Sequence, residues 1–244
     1  MLKRHPLPWF KPVASNPCFC GSGQIFGRCC GLAAAERKPP VGALVFPEFI
    51  DPALCTKWVK KLESKPGFHA TVNVINRAGT GSVHKEKNPL RVCSNVNPGV
   101  LRKVINDRVQ EAFQLAAARA GKTIAWFEKP SILRYTSGGF YKRHADSCMI
   151  DTATNTWMKI HDRDISLLIY LNEDYTGGGL SFMNFNYHLR PKTGDMLAFP
   201  SDNRYEHQAE VVQSGIRYVI VSWAAFNGSK RVQESAPAGS IHLP

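Results

Sequence analysis

The sequence is short of acid. Its 244 residues hold 19 Asp and Glu against 31 Lys and Arg, a formal net charge of +12 at pH 7. No apolar run approaches the roughly eighteen residues a membrane helix needs, so a transmembrane helix is excluded. The basic N-terminus, MLKRHPLPWFKP, lacks the apolar core of a secretory leader, and a cytoplasmic protein is expected. There is no internal repeat, which excludes a solenoid, and no block of five like charges, which excludes a polyelectrolyte tail. Charged residues make up only 20% and hydrophobic ones 43%, the composition of a globular chain and not of a disordered one. The length suits one ordinary domain plus a small appendage.

The positive charge is unevenly spread. Residues 1–45 carry Lys3, Arg4, Lys11, Arg28, Arg37 and Lys38 against Glu36 alone. Such a balance attracts RNA, ribosomes, acidic proteins and acidic small molecules alike, so charge does not choose among them. The seven cysteines are clustered too, with Cys18, Cys20, Cys29 and Cys30 inside thirteen residues. In a chain of the reducing cytoplasm that crowding reads as metal binding before it reads as a disulfide scaffold.

Three segments follow from composition. Residues 1–40 are Pro-, Gly- and Cys-rich and end in the linker-like ERKPP; 41–228 have the patterning of a compact domain; 229–244 are polar, contain two prolines, and are expected to fray as a flexible tail. Within the domain, Asp51 as N-cap and Pro52 at the first helical position open a helix whose apolar face is Leu54, Cys55, Trp58, Val59 and Leu62. A longer helix is expected over 99–119, stopped by Gly121. The Gly- and Asn-rich stretch 66–98 reads as a strand or two with a long loop. Beyond it the apolar period drops towards 2, with strands expected at 131–136, 165–171, 180–185, 195–199 and 217–225. The pattern is that of a mainly β sandwich or jelly roll with helices packed outside. Trp58, Phe113, Trp126 and Phe127 read as core, His161 and His188 as surface or loop residues, and Cys55, Cys93 and Cys148 as small apolar packing residues.

Two constellations carry chemistry. The first is Cys18-Phe19-Cys20-Gly21-Ser22-Gly23 through Cys29-Cys30, in which four thiolates can close a tetrahedral zinc site around a glycine turn. Its bland alternative is four unligated cysteines on a tail. The pattern resembles the SEC-C motif, a small zinc module of the bacterial secretion ATPase and various other proteins. That resemblance implies Zn(II) held by Cys18, Cys20, Cys29 and Cys30, and docking to a ribosome, a nascent chain or a chaperone.

The second lies in the β-rich half. His144-Ala145-Asp146 on an extended segment would point both side chains to one face. With one further histidine such a pair occupies one face of an octahedral metal and leaves positions for co-substrate and O2. His84-Lys85-Glu86 offers the same spacing, so the pair alone is weak evidence. His207 supplies a third ligand, and Arg217 opens an apolar strand where its guanidinium could pair with a carboxylate. Read singly, His207 could equally be a structural histidine and Arg217 a solvated strand-edge charge.

The stretch from about Phe46 to Phe226 resembles the prolyl 4-hydroxylase-type dioxygenases that depend on 2-oxoglutarate and Fe(II). The matching segments are Phe49 to Cys55, Tyr135 through His144 and Asp146, Leu167 to Asn172, Gly177 to Phe182, Pro191 to Asp195, and His207 through Arg217 to Trp223. The resemblance implies a double-stranded β-helix, Fe(II) on His144, Asp146 and His207, Arg217 on the distal carboxylate of 2-oxoglutarate, and a hydrogen bond from Tyr135 to that co-substrate. It implies O2 as second co-substrate, ascorbate as reductant, succinate and CO2 as products, and a lid over the substrate formed by residues 69–97. A residue in a protein, prolyl first and translation-related by way of the zinc module, is the expected substrate. Oxidation of a nucleic acid or a small molecule, and an idle scaffold whose zinc module does the work, are the alternatives.

Overall fold

The computed structural model describes residues 4–5, 14–15, 24–29, 39–40, 42–75, 83–86, 89–151 and 154–244. Cys18, Cys20 and Cys30 of the expected zinc site lie outside them. Cys29, at the end of the 3-10 turn Phe26–Arg28, packs with Phe26 against a core cluster formed by Ala43, Phe182, Phe185 and Phe199.

Two helices form where the capping chemistry places them. Helix α1 (Pro52–Glu63) is capped by Asp51, whose carboxylate accepts the Leu54 N–H at 2.9 Å. Helix α2 (Arg102–Arg119) is entered through the 3-10 turn Gly99–Leu101 and ends at Gly121, where φ is +62° and the Lys122 N–H returns to the Ala117 carbonyl. Their buried faces, with Trp58 and Leu62 on α1 and Ile105, Val109 and Phe113 on α2, share one core with Ile132, Leu167, Ile169 and Ile220 of a large sheet.

That sheet runs in the order Leu44–Phe46, Met196–Pro200, Ile165–Tyr170, Arg217–Phe226, Ser131–Tyr135, Ser94–Val96, Gly67–His69, with Ile124–Phe127 added beside Arg217–Phe226 and Ile241–His242 beside Ile124–Phe127. A five-stranded sheet runs Tyr187–Leu189, Leu180–Phe182, His207–Ala209, Phe140–His144, Arg91–Val92. The pairings are antiparallel, and the architecture is mainly β with helices packed outside, as the sequence predicts. The period of two decides which side chain goes where. Ile165, Leu167 and Ile169 face the helices, whereas Ser166, Leu168 and Tyr170 face the inside of the roll. On the neighbouring strand Ile220 pairs with Ile132 and Val219 with Leu133, one pair on each face. Gly194, in the turn before Met196–Pro200, has φ +87°, and a Cβ there would lie 2.0 Å from the Ile50 carbonyl oxygen, so this turn requires glycine.

Two expectations are corrected. The 66–98 stretch is richer in strand than its composition suggests: Gly67–His69, Val72–Ile75, Val83–Glu86, Arg91–Val92 and Ser94–Val96 all pair, the second with the third. The segment 229–244 does not fray. Ile241 and Leu243 pack on the helix-side core, Ile241–His242 pairs with Ile124–Phe127, and the Val232 and Gln233 N–H groups donate to Asp162. Composition undercounted the few apolar residues and backbone partners that suffice to dock a short segment. Trp58, Phe113, Trp126 and Phe127 are core residues, as expected.

Candidate metal and co-substrate site

The interior of the roll holds a small cavity lined by both sheets. His144 ends the strand Phe140–His144, and Asp146 follows in the bend beyond it. His207 begins the strand His207–Ala209, in register with His144 across the sheet. The ligand-capable atoms of the three lie within 4.8 Å of one another. Nε2 of His144 is 3.6 Å from Asp146 Oδ1, and Nε2 of His207 is 3.7 Å from Oδ2.

The tautomers follow from the backbone. Nδ1 of His144 lies 2.8 Å from the Lys142 carbonyl oxygen, and Nδ1 of His207 lies 3.0 Å from that of Tyr205. A carbonyl only accepts, so each Nδ1 carries the proton and each Nε2 presents a lone pair towards Asp146. Burial, then the neighbouring His207, lowers His144 to about 3, which keeps its imidazole neutral and ligand-competent near neutrality. Burial works to raise Asp146, but the two histidines, the Ser166 hydroxyl and Arg163 outweigh it and hold the carboxyl below its ordinary value. Ser166 Oγ donates to Asp146 Oδ2 at 2.6 Å, and Arg163 Nη1 reaches the Asp146 carbonyl at 3.1 Å. Two neutral imidazoles and one oriented carboxylate are the donor set of a non-haem ferrous site.

Arg217 lies on another wall of the same cavity. It is 1% exposed, and its Nε and Nη1 have no hydrogen-bond partner in the structure. A buried guanidinium with unmet donors costs stability unless an anion completes it. Tyr135, its cross-strand partner, sets its ring 4.8 Å from the guanidinium carbon, and Tyr170 sets its own at 5.3 Å. Burial raises the phenols of both tyrosines, so they stay protonated and can donate. The residues therefore fit a carboxylate seated on Arg217 and a metal on the triad. His144, Asp146, His207, Arg217 and Tyr135, all named from the sequence, line one cavity.

Others were not named. Arg91 crosses the cavity, its guanidinium 4.7 Å over Tyr141, whose ring in turn stacks on His144 at 3.6 Å. The lining thus carries Arg91 and Arg217 against Asp146, an excess of positive charge suited to a dicarboxylate. Ser166 had a readable signal, a hydroxyl at an inward position of an otherwise apolar strand. Arg91 had none, because it sits in a two-residue strand. His161, expected at the surface, is half-buried and lowered to about 3 by burial and Arg163; His188 is exposed and pairs with Glu210 at 3.0 Å.

Comparison with known proteins agrees with this geometry. Residues 130–225 match the family model of the 2OG-Fe(II) oxygenase superfamily. Human prolyl 3-hydroxylase 2 is 29% identical over 107 residues, covering 40% of this chain and 15% of that protein, so the chain spans only a small part of such relatives. A prolyl 4-hydroxylase-type protein of Acanthamoeba polyphaga mimivirus is 32% identical over 107 residues, 39% of this chain and 44% of that one. Among solved structures, a Trichoplax adhaerens prolyl hydroxylase in complex with a hypoxia inducible factor peptide superposes with TM-score 0.56 at 21% identity, over 75% of this chain and 83% of the other. A viral collagen prolyl hydroxylase of Paramecium Bursaria Chlorella virus-1 gives 0.51 at 16%, over 79% and 98%. The chain carries a 2OG-Fe(II) oxygenase domain with prolyl hydroxylases among its homologues, which implies Fe(II), 2-oxoglutarate and O2.

Proposed function

We propose that this 2OG-Fe(II) oxygenase domain hydroxylates a residue of a polypeptide, prolyl first, with decarboxylation of 2-oxoglutarate to succinate and CO2. The observation that supports a polypeptide is the groove outside the cavity. It holds about 700 Å³ and shares Arg91, Tyr141, His144, Asp146 and Trp223 with the cavity. Its lining runs from Leu90 and Asn95 past His144 and Asp146 to Ala238 and Ser240, which gives an extended polypeptide a course past the metal-binding residues. The peptide held by the Trichoplax prolyl hydroxylase supports the same reading.

Bound on His144, Asp146 and His207, Fe(II) with 2-oxoglutarate supplies the oxidising chemistry. The chain supplies orientation and charge. Arg217 holds the distal carboxylate, with the Tyr135 hydroxyl as a further donor to the co-substrate. Ser166 fixes the Asp146 carboxylate so that one oxygen faces the metal, and the Lys142 and Tyr205 carbonyls fix the two imidazoles. Leu133, Leu180, Val219 and Val221 line the remaining wall and keep water from the reacting centre. We assign Zn(II) to Cys18, Cys20, Cys29 and Cys30 on their sequence pattern, as a module that brings the oxygenase to ribosomes, nascent chains or a chaperone in the cytoplasm, with ascorbate as reductant.

The test is anaerobic reconstitution with Fe(II), admission of air, and assay of succinate, with His144→Ala as control. Mass spectrometry of a lysate treated with the enzyme then reads proline hydroxylation. Succinate formation lost in the variant, with hydroxylated prolines in treated protein, is expected. Iron binding without succinate, with or without lysate, would overturn the enzyme reading. Hydroxylated nucleic acid with unmodified protein would overturn the polypeptide reading. Zinc at one equivalent, lost in Cys18→Ser, is expected of the cysteine module.

A further inference from the structure

We infer that the C-terminal segment is a wall of the substrate groove, and that Asp162 is the positioning residue that sets it. This rests on the polypeptide reading above and deepens it.

Asp162 is 1% exposed and takes no part in the metal or co-substrate site. Its two carboxylate oxygens accept different backbone donors of the same segment, Oδ1 from the Val232 N–H at 2.7 Å and Oδ2 from the Gln233 N–H at 3.0 Å. The contact is reciprocal, because the Asp162 N–H donates to Gln233 Oε1 at 3.0 Å. Lys159 Nζ, 3.9 Å from Oδ1, adds a cation. A carboxylate with bonds to successive N–H groups fixes the path of a backbone as a helix cap does.

A second anchor follows at once. Ile241 and His242 pair with Phe127 and Trp126, and the Leu243 N–H donates to the Ala125 carbonyl at 3.1 Å. Between the anchors the chain makes the turn Pro237–Ser240, closed by the Ser240 N–H and hydroxyl on the Pro237 carbonyl. Pro237, Ala238 and Ser240 are the residues of this span that line the groove, beside Lys129 and Trp223. The wall is therefore a short bridge with both ends fixed, whose inward residues are small. Its height is set by the register Asp162 imposes, and a substrate residue passing this point meets Ala238 or whatever replaces it. Asp162 precedes Arg163, which bonds the Asp146 carbonyl, by one residue, so wall and metal face are referenced to one stretch of backbone.

The test uses the Fe(II)-loaded full chain, an array of proline-containing decapeptides as probe, and succinate formation as readout. Wild type is expected to prefer a subset of peptides. Asp162→Asn replaces one accepting oxygen by an NH2 group, which loses one backbone bond and removes the charge from the other. It is expected to raise the KM for the preferred peptide about tenfold, the loss of one charge-assisted hydrogen bond, and to flatten the ranking, with the KM for 2-oxoglutarate unmoved. Hydrogen exchange in residues 232–243 is expected to accelerate. Ala238→Trp, at an exposed position in the turn between the two anchors, is expected to invert the ranking in favour of peptides with small residues. Unaltered ranking in both variants, while wild type discriminates, would overturn the wall alone, and unaltered exchange in Asp162→Asn would overturn the positioning role of Asp162. If no peptide stimulates wild type, the polypeptide reading falls and the wall with it.

Discussion

His144 and His207 sit opposite each other on antiparallel strands, one residue out of step with the neighbouring pair Tyr141 and Ala209. Three residues on one strand therefore span two on the other, a β-bulge between Tyr141 and His144. The extra residue turns His144 to the face that already carries Tyr141 and His207, and the two imidazole centroids come to 4.3 Å. The metal face exists because the ladder is irregular at this point.

Replacement of any one ligand follows directly. His144→Ala, Asp146→Ala and His207→Ala are each expected to reduce metal affinity by more than the roughly 10–100-fold typical of a lost outer partner. Titration of the metal-free protein with Co(II) checks this without reference to turnover. Retained affinity in Asp146→Ala would contradict the ligand assignment.

Ser166→Ala is an intermediate case. The hydroxyl bonds Asp146 Oδ2 at 2.6 Å and sits 2.7 Å from Ser201 Oγ. Its loss leaves the ligands in place but frees the carboxylate, so metal affinity is expected to fall about 10–100-fold. Ser166→Thr should recover most of it in the same titration.

Arg217→Met separates function from stability. Binding of 2-oxoglutarate, measured calorimetrically, is expected to weaken about 100-fold or more, since charge-assisted bonds to a carboxylate are lost. The co-substrate-free protein should nevertheless melt higher, by about 2–4 °C for each kcal/mol regained when a buried, incompletely bonded cation is removed. A lower melting temperature without co-substrate would show that the arginine is satisfied by the fold itself.

Acid should destabilise the metal-free protein in a defined window. His144 and His161 are both lowered from 6.5 to about 3, by burial first and then by His207 and Arg163 respectively. The unfolded chain thus takes up protons below about pH 6.5 that the folded chain refuses, and stability falls as pH drops from there towards 3. Asp146 acts in the same sense lower down: its contribution is present above 3.8 and is lost as pH falls through its depressed folded value. His161→Gln removes one of these groups, so urea midpoints against pH should show a shallower acid limb. An unchanged limb would mean that His161 titrates freely in the fold.

The groups that do chemistry were largely legible in the order of residues. The spacing from His144 to Asp146, the later His207 and the strand-opening Arg217 could be read without coordinates, as could Asp51 and Pro52 starting α1 and Gly121 ending α2. These are local signals, in which a residue type and its immediate neighbours carry the physical reason. The short apolar period likewise located the long strands, whereas only the structure separated Ile220 from Val219 by face. What tertiary structure alone decided is who meets whom. Arg91 reaches Tyr141 and His144 only because Arg91–Val92 pairs with Phe140–His144, some fifty residues on. The bulge that aligns His144 with His207 is a property of two strands, visible in neither. The segment after Ser229 looks polar and dispensable along the chain, yet Asp162, seventy residues away, holds its backbone against the groove. Pairings across such separations depend on which backbone groups are left to satisfy once the sheets have closed, and that is settled by the fold as a whole.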